Sequence, residues 1–194
     1  MLCLAAGACS SGKKEESQPR PGVTTPPINR GDLKLDVVAW DQVSPAKKFG
    51  PLDDPNRASA TRALQQAFDA TVVDPLTKGK AGSIDRVFTG DAAARAAGQD
   101  RAALYDEGLP RVRRLVADKL NVRLTALAGT DGKPALVVAK IDWDVASADG
   151  KVRVKRIGEL SMVPVFGTWL VGAYTVLTSR TVGGSTTTTT AVAG

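Results

Sequence analysis

Histidine is absent from the 194-residue chain. Its absence removes Ser–His–Asp and Cys–His catalysis, His-ligated zinc, and the side chain that most often carries acid–base work near neutral pH. Cysteine occurs only as Cys3 and Cys9. Everything after the ninth residue therefore lacks a thiol nucleophile, a Cys-ligated metal and a disulfide. No stretch approaches the roughly 20 apolar residues that a spanning helix requires. The expectation is a chain with no metal, no cofactor and no assigned catalytic residue. What is present is a 43% hydrophobic composition, enough for one core in one domain of ordinary size.

The first dozen residues, Met1-Leu2-Cys3-Leu4-Ala5-Ala6-Gly7-Ala8-Cys9-Ser10-Ser11-Gly12, run from apolar to small and then, past one cysteine, to polar. Small side chains at Ala6, Gly7 and Ala8 before an acceptor thiol resemble the lipobox of bacterial lipoproteins. The resemblance implies a signal over residues 1–9, lipidation at Cys9 and anchorage to the extracytoplasmic face of a cell membrane. The apolar segment is short and no Lys or Arg precedes it, which reads as a truncated signal. Residues 10–31 are rich in Ser, Lys, Glu, Pro and Gly and read as a disordered, proline-extended tether. The net charge of +6 favours adhesion to anionic lipid and wall polymers, and this address argues against nucleic acid as a partner.

A single domain is expected over residues 32–180, opening with an extension over 32–54. Leu33, Leu35 and Val37 alternate with Lys34 and Asp36, a pattern for a short extended segment. Leu64, Ala67, Phe68, Thr71, Val72 and Leu76 recur at helical steps after Pro55, and Pro75 is expected to end or bend that helix. Short helices follow from Ile84, over Asp91–Ala97 and over Arg101–Tyr105. Beyond Arg111 the period becomes two. Val122, Leu124 and Ala126 form one strand, and Asp131-Gly132 signals a hairpin. Val137, Ala139, Ile141, Trp143 and Val145 share one face of the next strand, with Lys140, Asp142 and Asp144 facing water. Asp149-Gly150 is a second hairpin signal, followed by strands over Lys151–Val163 and Thr168–Thr178. Residues 181–194, with five successive threonines, read as a disordered tail.

Helices followed by strands indicate an α+β domain. The layout resembles the NTF2-like (cystatin-like) fold, the closing segment Gly158–Met162 through Gly167-Thr168-Trp169-Leu170-Val171 being similar to that group's last hairpin. The resemblance implies a cone of one long and two or three short helices on a curved antiparallel sheet of about four strands. The Ala- and Arg-rich composition is also similar to that of actinobacterial lipoproteins of unknown function.

Trp143, Phe166, Trp169 and Tyr174 form the candidate pocket, a site for a small apolar ligand if they line an open cone rather than fill a core. Lys151, Arg153, Lys155 and the adjacent Arg156 form a candidate contact for an anionic surface, with Arg111, Arg113 and Arg114 elsewhere. Asp142 and Asp144 project from one strand face, where a buried pair could hold a cation or do acid–base work. With Lys140 beside them they read as solvated, and Asp106-Glu107 is a weaker candidate still. The leading expectation is a non-catalytic binding or accessory module that holds a small apolar ligand or an envelope protein. Two alternatives stand beside it: a SnoaL- or isomerase-like enzyme using an Asp or Tyr in the cone, and a structural subunit that homodimerises through its sheet.

Overall fold

The computed structural model describes residues 33–43, 54–129 and 133–194. Cys9, the expected signal and tether, residues 44–53 and the expected Asp131-Gly132 hairpin turn lie outside them. One six-stranded sheet carries the fold, in the order β1 (Asp36–Val43), β2 (Leu115–Ala128), β3 (Pro134–Ser147), β4 (Val152–Val165), β5 (Thr168–Val182) and β6 (Ser185–Ala193). Strands β2 to β6 form an antiparallel meander, while β1 lies parallel to β2. The sheet is therefore mixed.

This corrects two expectations. The NTF2-like cone of about four antiparallel strands is not formed, because two further strands extend the sheet and one runs parallel. The expected disordered tail is β6, hydrogen-bonded along β5 from Val182↔Ser185 to Tyr174↔Ala193. Threonine is β-branched and suits a pleated surface, so five in a row extend the sheet.

One face of the sheet is covered by helix. Helix α1 (Asp54–Phe68) continues through a π-turn (Asp69–Val73) into α2 (Asp74–Lys78). The apolar stripe Leu64, Ala67, Phe68, Thr71, Val72 and Leu76 is buried along its whole length. Pro75 does not end the helix. It has no N–H for the carbonyl four residues back, and the chain widens one turn earlier, where the Asp74 N–H bonds Asp69 O. A 3₁₀ turn (Ile84–Arg86), α3 (Gly90–Ala97) and α4 (Arg101–Leu104) complete the cover.

The inward faces of the strands are as the period of two predicts: Val122, Leu124 and Ala126 on β2 are buried, as are Val137, Ala139, Ile141, Trp143 and Val145 on β3. On β4, Gly158 lies where a Cβ would stand 2.1 Å from the Thr175 carbonyl oxygen, so this close approach of β5 accepts no side chain.

The opposite face is held by cross-strand ion pairs. Lys119 pairs with Asp142, Lys140 with Glu159 at 3.2 Å, and Arg153 with both Asp118 at 2.6 Å and Asp144 at 2.7 Å. Asp144 thus departs from the expected solvated carboxylate; it is buried beneath Arg153.

Strands β4 and β5 are joined by Phe166-Gly167 between the paired Val165 and Thr168. Both loop residues have positive φ, 46° and 81°, as a type I′ turn demands. Phenylalanine in that left-handed position costs about 1 kcal/mol or more, since its Cβ crowds the carbonyl.

Candidate functional site

Three of the four residues of the expected pocket are core. Trp143, Trp169 and Tyr174 are each at most 4% exposed, and Phe166 stands fully in solvent at the hairpin tip. Trp143 meets Phe68 edge to face at 5.0 Å, and Tyr174 meets Phe88 at 5.7 Å. The cavity beside Trp143 measures about 10 Å³, about the size of one water and far below any organic ligand. The rings share a core, not a binding cone.

Behind them lies a buried charged cluster. The period of two places Arg156 inward with Val152 and Val154, at 2% side-chain exposure, so it does not belong to the outer stripe of Lys151, Arg153 and Lys155. Its guanidinium donates from Nη2 to Asp106 Oδ2 at 3.2 Å, from Nη1 to Thr71 Oγ1 at 2.9 Å and from Nε to Thr178 Oγ1 at 3.1 Å. The π-turn presents that Thr71 hydroxyl, which itself donates to Ala67 O. Arg180, also inward, donates from Nε to Asp106 Oδ1 at 2.6 Å, from Nη1 to Thr189 Oγ1 and from Nη2 to Ala103 O. One fully buried carboxylate therefore bridges two guanidiniums. Burial pushes Arg156 below its ordinary value, and Asp106 opposes that shift. The cluster pins α4 and its following loop to β4, β5 and β6.

Tyr174 donates to Asp100 Oδ2 at 2.8 Å, and burial followed by this carboxylate drives the phenol well above its ordinary value. Burial pushes Tyr105 up to about 12. Both phenols therefore hold their protons at neutral pH, and neither serves as a base.

A groove of about 560 Å³ opens above the cluster, walled by Tyr105, Asp106, Glu107, Arg101, Arg180 and Thr189. Its charges are matched: Arg101 grips Glu107 at 2.9 Å, and Arg180 grips Asp106. Glu107 also accepts from the Ala81 N–H at 2.8 Å, and this bond, followed by Arg101, holds its carboxyl below the ordinary 4.5. A depressed folded value means that the stabilisation is complete above 4.5 and is lost as pH falls through the folded value. Glu107→Gln is accordingly expected to flatten the acid limb of a Tm-against-pH profile below 4.5 and to lower Tm at pH 7.

The second large groove is different in kind. It measures about 510 Å³ and lies where the chain enters β2, beside the β3–β4 and β5–β6 turns. Arg111, Arg113, Arg114 and Lys151 line it, over an apolar floor that includes Val112, Val152 and Val182. Among the described residues its lining holds one carboxylate, Asp149, which the Ser147 hydroxyl and then the Lys151 N–H hold below its ordinary value. Arg95, Arg101, Arg153, Arg156 and Arg180 each hold a carboxylate. Among the described residues, Arg111, Arg113 and Arg114 hold no carboxylate, and Arg111 lies against Gly79, whose left-handed φ of 70° closes the long helix.

Three arginines read as remote from Lys151 thus join it in one groove, while Arg153 and Lys155 stay on the outer sheet face. Among the described residues, no cluster of His, Cys, Asp and Glu could hold a metal ion, and no helix is long and apolar enough to cross a membrane. No family model, curated protein or solved structure matches this chain.

Proposed function

We propose that this chain is a lipid-anchored, extracytoplasmic and non-catalytic binding module that holds a phosphate-bearing polymer of the cell envelope in its basic groove. The observation that carries the reading is the convergence of Arg111, Arg113, Arg114 and Lys151, with one carboxylate among them, around a groove of about 510 Å³. Guanidinium forks match phosphate oxygens two at a time, and the apolar floor accepts the carbon skeleton between successive charges. The small residues before Cys9 support the anchor, and the +6 charge suits an anionic surrounding.

Two measurements test the two halves separately. With a positive n-region and a full apolar segment supplied ahead of Leu4, fatty-acid label is expected on the chain in a lipoprotein-processing host and not on its Cys9→Ser form. Binding to poly(glycerol phosphate) is expected to fall on the order of a thousandfold at low ionic strength in the combined Arg111→Gln, Arg113→Gln, Arg114→Gln, Lys151→Gln variant, at about 1 kcal/mol per charge. Equal binding by native and variant chains would remove the groove from the account.

A further inference from the structure

We infer that the β4–β5 turn is a bilayer-contacting tip and that Phe166 is the side chain it inserts; the inference rests on the reading that the chain is anchored to a membrane. Phe166 is 105% exposed, the most exposed large apolar side chain among the described residues. It also occupies a backbone conformation, φ 46°, that Asn or Gly would adopt with far less strain. The ring thus contributes nothing to the core and strains the turn that carries it. An unfavourable residue at a fully exposed site points to a contact outside the domain.

The surroundings select the kind of contact. No charged residue occurs from Leu160 to Ser179, so the whole end of this hairpin is free of charge. Pro164, Gly167 and Thr168 are exposed around the ring, and Val165 is partly so. A protein interface sets register through a polar and charged rim around its anchor, and this tip offers only the Thr168 hydroxyl and no charge. A bilayer interface needs no register; it accepts a convex apolar tip whose backbone is already paired, as Val165↔Thr168 is. One ring binds membrane weakly, but a lipid anchor would hold it at high local concentration and leave the ring to set orientation.

That orientation has a consequence for the groove. Lys151 and Val152 stand at the start of β4 and Phe166 follows its end, 14 residues later, about 45 Å away at about 3.3 Å per residue. With the tip in the bilayer, the basic groove faces away from the membrane, toward polymer and not toward lipid headgroups.

The test uses the full chain carrying Cys3→Ser, coupled through the Cys9 thiol to a maleimide lipid in phosphatidylglycerol–phosphatidylcholine vesicles. Phe166→Trp is expected to add a blue-shifted emission that acyl-brominated lipids quench, above the constant background of Trp40, Trp143 and Trp169. An emission no more quenched than that of the native chain overturns the tip. Phe166→Asn is expected to raise the urea midpoint; a lowered midpoint would make Phe166 a folding residue and equally overturn the inference. Coupling through Cys9 places the chain on the vesicle whether or not cells lipidate it. A missing quench therefore counts against the tip alone, and a missing fatty-acid label against the anchor alone.

Discussion

Asp106→Ala is expected to destabilise the domain by about 3–5 kcal/mol, a large share of the roughly 5–15 kcal/mol that folded domains possess. The carboxylate is fully buried and accepts from Arg156 and Arg180, whose side chains are 2% and 8% exposed. Its removal leaves two guanidiniums facing each other without water or a counter-charge. The cost is the desolvation of unpaired charge more than the loss of two hydrogen bonds. Asp106→Asn keeps an acceptor oxygen and should lose less. Combining Asp106→Ala with Arg156→Met and Arg180→Leu should recover most of the loss, because an apolar replacement leaves no charge stranded. Urea denaturation reads all three, with the midpoint moving and the slope unchanged. A loss under about 1 kcal/mol for Asp106→Ala, the range of exposed pairs, would mean that water reaches the cluster.

Trp143→Ala should cost about 3–5 kcal/mol through the cavity it leaves. The indole is 2% exposed, packs edge to face on Phe68, and borders a void of about 10 Å³ that offers little room for collapse. Trp143→Phe should cost less, about 1–3 kcal/mol, because the phenyl ring refills most of the cavity and the indole Nε1 makes no hydrogen bond to lose. The pair separates a core residue from a ligand-binding one. A core tryptophan moves the thermal midpoint by many degrees on truncation; a pocket tryptophan would weaken ligand capture with the midpoint little changed.

Local structure was legible wherever one period dominated. The helical stripe from Leu64 to Leu76 and the alternation from Val137 to Val145 needed no tertiary information, since a buried face writes its own spacing. Pro75 misled because a proline can be absorbed by a π-turn that donates from one residue earlier. β6 was missed because threonines carry no hydrophobic signal, although their branched Cβ favours a strand. The parallel seating of β1 on β2 depends on a contact across many residues of chain, which no local pattern encodes, and with it went the NTF2-like cone. Arg156 was legible after all: counting by twos from Val152 places it inward. The basic groove was not, because it assembles from the chain entering β2 and from two turns far apart in sequence.

The most direct measurement of where the anionic polymer binds is an arginine Nε–Hε NMR titration of the full chain with poly(glycerol phosphate). The account predicts shifts at Arg111, Arg113 and Arg114, with Arg156 and Arg180 unmoved in their buried cluster and Arg153 unmoved on the outer sheet face. Shifts centred on Arg153, or none at the three groove arginines at saturating polymer, would contradict it.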